Sequence, residues 1–353
     1  MHRILILSTI SLILLSCSTK TQKNDYQVPG NILISGEILN FETGLPVSIQ
    51  LNTTAFDSKR ISVPLDSTGK FAISFESYTS TDVLLEHGKH NFTILVHPSD
   101  SIYVEFDNGV ERHIDFFGTV KFDGNAAKTN QDALVFQMMY YARDWDDSYS
   151  TASAYNTDAF LQYLFNMQQA QIQLYKQFME QTSASEDAKN WALTKLQGYY
   201  YADLAFYPDR HRKANNLPVN EWDVPSSYYN PFSNFTITEQ MFISGNALNN
   251  FIINAIRQYN EMKIWNEPAN VQYIKPDGSI SAPEKLIDSV TIYGLINYIN
   301  DDLSRQIVLT NYLYKRKTTP DLKFFEKFKG LIEKYIQKPY LKNPLFDFYK
   351  QNK

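Results

Sequence analysis

Close to Gly124 the spacing of apolar residues changes from every second residue to every three or four, and that change fixes which layers can form on either side of it. Before it, Val47, Ile49 and Leu51 alternate with polar residues, as do Ile61, Val63 and Leu65, and Phe71, Ile73 and Phe75. Side chains on a strand point to opposite faces in turn, so each run puts one apolar face on a core and one polar face in water. Further runs at Val83 to Glu86, Phe92 to Val96, Ser101 to Phe106 and Ile114 to Phe122 are separated by turn signals such as Glu42-Thr43-Gly44, Asp66-Ser67-Thr68-Gly69, Gly88-Lys89 and Asn108-Gly109. Short strands at this spacing predict an antiparallel β-sandwich over residues 31–123.

After Gly124 the pattern is helical. Asn130 is placed to cap a first helix ending near Trp145, and a second spans about Asp158 to Gln181. Ser183 and Glu186 have the spacing of a capping box that opens a third, which Pro208 is expected to end. Four prolines between Pro208 and Phe235 predict a long irregular connection. Helices follow around Leu248 to Tyr259, after Pro283, over Leu303 to Tyr314, and over Leu322 to Ile336, where Pro339 reads as a stop. The expected fold class is α+β multidomain, an antiparallel β-sandwich followed by an all-α helical domain over residues 124–353.

Cys17 is the single cysteine in 353 residues. It ends a short leader in which His2 and Arg3 precede an apolar run from Ile4 to Leu15, the layout of a secretory signal peptide over residues 1–16. The run is shorter than the roughly 20 apolar residues that cross a bilayer as a helix. Leu14-Leu15-Ser16-Cys17 resembles the lipobox of bacterial lipoproteins, which implies acylation of the Cys17 sulfur and a membrane partner reached through that anchor. Residues 17–30 are polar and read as a flexible tether. With the one sulfur committed to lipid, disulfides, thiolate nucleophiles and zinc–cysteine sites are excluded by inventory. The net charge of −5, without clustered Lys and Arg, argues against nucleic acid.

The order of lipobox, strand-rich unit and helical unit resembles the amino-terminal part of envelope thiol-disulfide oxidoreductase lipoproteins of the Bacteroidota. The residues that carry it are Leu65-Asp66-Ser67-Thr68-Gly69-Lys70-Phe71, His97-Pro98-Ser99-Asp100-Ser101-Ile102 and Phe122-Asp123-Gly124-Asn125 with Asn130. Ser99 stands where that family has Gly. The resemblance implies a bacterial cell-envelope location, outer membrane, facing the periplasm or the surface. The family continues into a thioredoxin-like domain with Trp-Cys-x-x-Cys, and these 353 residues hold neither cysteine. The expectation is therefore an accessory region without oxidoreductase activity, whose candidate partner is a separate thioredoxin-like envelope protein.

No phosphate loop, dinucleotide fingerprint, nucleophile elbow or zinc-protease motif occurs, and no cofactor or metal is expected. His87, His90 and His97 read as exposed turn histidines, Asp144, Asp146 and Ser148 as a solvated helix end, and Arg210 to Lys213 as a solvated basic loop. Asp301-Asp302 suits helix capping better than acid–base work. Aromatic residues make up 14% of the chain and concentrate near the proline-rich connection, where Trp222, Tyr228 and Tyr229 are the candidate ligand-binding residues. Two functions follow: a non-catalytic interaction or scaffold module, and a surface receptor for glycans or peptides with an aromatic cleft. A hydrolase with a dispersed site is the third, and it lacks a visible nucleophile constellation.

Overall fold

Among the described residues eight strands form where the period is two: β1 (Gly30–Leu39), β2 (Val47–Leu51), β3 (Lys59–Val63), β4 (Lys70–Ser77), β5 (Thr81–His87), β6 (His90–Val96), β7 (Ser101–Asp107) and β8 (Lys121–Gly124). The computed structural model describes residues 28–218, 221–315 and 322–351; the leader, Cys17 and the tether as far as residue 27 lie outside the described residues. The strands make two four-stranded sheets, ordered β4-β1-β7-β8 and β3-β2-β5-β6. Ile32, Ile34, Ile73, Ile102 and Val104 of one sheet and Val47, Ile49, Val83, Leu85 and Ile94 of the other share one buried core.

One pairing departs from the antiparallel expectation: β1 runs parallel to β7, with Ile34 opposite Ile102. Alternation reports which face is buried and is the same for both directions, so it could not show this. The run from Ile114 to Phe122 also differs. It forms a helical turn (His113–Phe116), a 3-10 turn (Phe117–Thr119) and only then β8. Phe116 and Phe117 are both buried, and a pleated strand would have sent one of them to the opposite face.

The turn motifs have a physical reason. The Asp66 carboxylate accepts the N–H groups of Thr68 and Lys70, closing the turn before β4. Ser99 has φ +76°, the left-handed conformation for which Gly is the easier residue. At Gly124 (φ +100°) a Cβ would lie 2.2 Å from the Ser101 carbonyl oxygen.

The helical region comprises α1 (Ala127–Tyr141), α2 (Ser148–Ala154), α3 (Thr157–Thr182), α4 (Glu186–Asn215), α5 (Ile253–Trp265), α6 (Glu284–Tyr298), α7 (Asp302–Lys315), α8 (Leu322–Tyr335) and α9 (Pro339–Gln351). A 3-10 segment (Glu239–Ser244), a single helical turn (Gly245–Ala247) and a π turn (Leu248–Ile252) lead into α5.

Four expectations about helix ends are corrected. Asn130 lies inside α1, where its amide bonds the backbone of Leu95. Ser183 ends α3 in the left-handed conformation, so Ser185 caps α4 by accepting the Ala188 N–H. Pro208 sits within α4, which runs on to Asn215. Pro339 opens α9, as a residue lacking an N–H can at a first helical position; nearby, the Gln306 side-chain oxygen accepts the N–H groups of Gln337 and Lys338. Asp301 does cap α7, accepting the Ser304 N–H at 2.8 Å.

Sheets and helices share interior. The connection between β2 and β3 inserts Ala55 and Phe56 into the core formed by α5 to α9. Ala55 is fully buried at φ +71°, and Asn249 accepts its N–H at 2.8 Å while Asn311 donates to its carbonyl at 3.1 Å. On β5, buried Asp82 accepts the Trp191 indole N–H at 3.0 Å and the Asn246 backbone N–H at 2.8 Å. Burial pushes the Asp82 carboxyl above its usual range, and these two donors act against that rise.

Candidate functional site

The three aromatic residues expected to line a binding cleft are placed in packing roles. Tyr228 is 2% exposed, and its hydroxyl donates to the Leu204 carbonyl at 2.9 Å. Trp222 lies over His211 at 4.7 Å, and Tyr229 packs against Tyr228 and Tyr259 at 5.1 and 5.7 Å. All three belong to a cluster with Phe160, Tyr207 and Phe232, and neither of the clefts described below takes its lining from them.

The other candidates also move. His87 and His90 are buried, not exposed: His87 Nε2 accepts the Glu42 N–H, and His90 Nε2 bonds the Val110 carbonyl at 2.8 Å while its ring stacks on Phe116. Among the described residues no group of three His, Cys, Asp or Glu side chains converges as a metal site. Arg210 to Lys213 lie on α4 and not in a loop, with His211 buried and Arg210 beside Asp203 at 3.4 Å.

His97 forms an arrangement that resembles a catalytic relay. Its Nδ1 lies 2.7 Å from Ser80 Oγ and its Nε2 3.0 Å from Asp187 Oδ2. A working triad buries its carboxylate and opens its hydroxyl to substrate. Here the burial is inverted, because the Ser80 residue is 6% exposed while the Asp187 side chain is 42% exposed. The chain of bonds therefore ties the sheets to the start of α4, with the hydroxyl on the buried side of the imidazole.

A second arrangement that could bind an alkylammonium is filled from within. The Lys195 ammonium lies 5.2 to 5.3 Å from the ring centres of Trp191, Tyr140 and Tyr141.

An open cleft lies elsewhere. A cleft of about 900 Å³ runs between the segment Arg143, Asp144, Trp145, Asp146 and the early turns of α3. Ala159, Gln162, Tyr163, Asn166, Met167 and Ala170 face it, a spacing of three and four that keeps one side of a helix together. The adjoining side of α3, about a quarter-turn around the helix, buries Phe160, Leu164, Leu174 and Phe178, so packing there fixes the rotation that presents the polar side to the cleft. Tyr155 closes one end and is 44% exposed.

The walls are held in place. The Trp145 indole N–H donates to the Tyr140 carbonyl at 2.9 Å, and its ring stacks on Tyr140 at 5.2 Å. Arg143 donates to the Gln177 side-chain oxygen at 2.8 Å. Burial pushes the Tyr163 phenol up to about 12, with the charges of Asp203 and Asp146 adding to the rise, so it stays a neutral donor. Asp147, directly after Asp146, caps α2 by accepting the Tyr149 and Ser150 N–H groups, while Asp144 and Asp146 line the cleft. Asp144 and Asp146 are both exposed, and the Asp146 backbone carbonyl lies 3.5 Å from the Tyr163 hydroxyl. A smaller cleft of about 640 Å³, lined by Phe56, Lys59, Arg60, Tyr314 and Phe348, lies where the connection before β3 meets α7 and α9.

Sequence reasoning singled out Asp144 and Asp146 as a helix end and missed the cleft. The local signal was the aromatic and acidic run from Tyr140 to Asp147, and nothing in it shows that α3 folds back opposite.

No helix among the described residues is long and apolar enough to cross a membrane. No protein-family model, curated protein or solved structure matches the chain.

Proposed function

We propose that this chain is a lipid-anchored cell-envelope protein that acts by binding rather than by catalysis, and that it holds a segment of another envelope protein in the cleft beside α3. The observation that carries the binding reading is the cleft itself: about 900 Å³, walled by Trp145, Tyr155 and Tyr163 and edged by polar groups, the composition of a recognition site. The inverted burial of Ser80, His97 and Asp187 supports the non-catalytic part. The anchor rests on the leader and Cys17, and the envelope setting on the turn motifs shared with the thiol-disulfide oxidoreductase lipoproteins. A separate thioredoxin-like lipoprotein is the partner that this resemblance favours.

A second reading, a receptor for glycans, is favoured by the Gln162 and Asn166 amides, which bond each other at 3.0 Å next to aromatic faces that a sugar ring could cover.

A photo-reactive residue placed at Gln162 tests the protein-binding reading in intact cells, with one at Tyr293, 53% exposed on α6, as control. One dominant protein adduct is expected from position 162 and none from 293. Equal labelling from both, or none from 162, would remove the reading.

A further inference from the structure

The chemistry of the cleft selects its occupant by charge. We infer that it takes a basic peptide segment, a Lys or Arg side chain lying along the Tyr155 and Tyr163 rings, which meet edge to face at 6.3 Å, with its charged end toward Asp144 and Asp146; this rests on the binding reading above and names its ligand class.

Three observations carry it. The cleft has two carboxylates and one guanidinium, and the guanidinium is already engaged: Arg143 bonds Gln177 at 2.8 Å and lies 5.9 Å from the Trp145 ring centre. A carboxylate-bearing ligand would find no uncommitted cation among the cleft's lining residues, whereas an ammonium or guanidinium finds two exposed carboxylates. The aromatic walls suit the same ligand, because a ring face attracts a cation and also covers the apolar stem of Lys or Arg. The protein's own cations show this preference in the immediate surroundings. Lys195 sits over Tyr140, which supports Trp145, and Arg210 lies 5.5 Å from the ring centre of Tyr149, just beyond the acidic segment. A neutral sugar would use the rings and the Gln162 amide but would leave both carboxylates unanswered.

The test uses the full chain in detergent and three probes: a labelled hexapeptide containing Lys and Arg, the same peptide with acetyl-lysine and citrulline in their place, and a neutral hexasaccharide. The basic peptide is expected to bind at least tenfold more tightly than its neutral counterpart and to weaken severalfold from 50 to 300 mM salt. An Asp144→Asn, Asp146→Asn double variant is expected to lose at least tenfold in affinity for it. These side chains are at the surface, so an unchanged thermal unfolding midpoint would show the variant folded. Equal binding of the two peptides, or no effect of the double variant, would overturn the charge assignment. Binding of the hexasaccharide alone, lost on Tyr155→Ala, would overturn it while leaving a binding cleft. Silence from all three probes would overturn this inference, and the crosslinking result at position 162 would then decide the broader reading separately.

Discussion

The Tyr228 hydroxyl donates to the Leu204 carbonyl at 2.9 Å, and Leu204 is the residue whose carbonyl Pro208 leaves without its helical N–H. A proline inside a helix removes one hydrogen bond and crowds the carbonyl four residues back. Tyr228, from the 3-10 segment Ser226–Phe232 that follows α4, replaces the missing donor from outside the helix. The helix therefore continues through the proline, and a tyrosine that reads as a ligand contact is a structural one.

A double-mutant cycle checks this pairing. Tyr228→Phe is expected to lower stability by about 1–2 kcal/mol, the cost of a buried acceptor left unpaired. In the Pro208→Ala background the helical N–H returns to Leu204, and the same change should lower stability by less than about 0.5 kcal/mol. Urea unfolding of the four proteins measures the difference, and equal losses in both backgrounds would rule out the substitution of one donor for the other.

Asn249 and Ala55 are 194 positions apart and joined in a buried hydrogen bond. Asn249→Ala removes an acceptor from the Ala55 N–H and a donor from the Thr53 carbonyl, and should lower stability by about 2–4 kcal/mol. Ala55→Gly relieves a left-handed alanine but loses its buried methyl, so its net effect should stay within about 1 kcal/mol. Chemical denaturation reads both, and a larger effect at Ala55 than at Asn249 would contradict the account.

β6 is an edge strand whose outer side is sealed by α1. The Asn130 amide accepts the Leu95 N–H at 2.7 Å and donates to its carbonyl at 2.9 Å, and Gln137 does the same for Thr93 at 2.8 and 3.1 Å. Open edges recruit other strands. An Asn130→Leu, Gln137→Leu double variant is thus expected to aggregate at concentrations where the parent stays monodisperse, which light scattering would show. A destabilised but monodisperse variant would mean that the amides contribute stability without protecting the edge.

His97 links the β6–β7 turn to α4, facing Asp187 and Asp100, with Ser80 on its other nitrogen. Burial pulls the His97 imidazolium down, and the Asp187 hydrogen bond together with the charges of Asp187 and Asp100 outweighs it, so the net shift is upward. A raised folded value means the stabilisation is complete below the unfolded value of about 6.5 and fades as pH rises through the folded one. Asp187→Asn should therefore lower the unfolding temperature more at pH 5.5 than at pH 8.5. A larger loss at pH 8.5 would reverse the sign of the argument.

Cys17→Ala is expected to move the protein from the membrane fraction to the soluble fraction and to abolish incorporation of labelled palmitate. Each buried acyl methylene contributes about 0.8 kcal/mol, so loss of the chains removes nearly all membrane affinity. Retention of the variant in membranes would mean that another feature anchors it.

Period and turn chemistry made the strands from β2 to β7 and the longer helices legible, because they depend on neighbours along the chain. The Asp66 to Gly69 turn, the Asp301 cap and the α3 stripe are local in that sense. Pro208 and Pro339 misled for a definable reason: proline's effect depends on whether its missing N–H was needed and whether another donor arrives. Asn130 looked like a cap because caps and edge seals use the same amide.

The sequence by itself determined an α+β chain that changes layer type near Gly124, with one cysteine and therefore no disulfide within these 353 residues. Tertiary structure alone decided that β1 lies parallel to β7, that Tyr228 serves Leu204, and that α3 faces Asp144 and Asp146 across a cleft. The reason is that periodicity records which side of an element is buried, while strand direction, hydrogen bonds across long separations and cleft walls depend on which distant element arrives to cover that side.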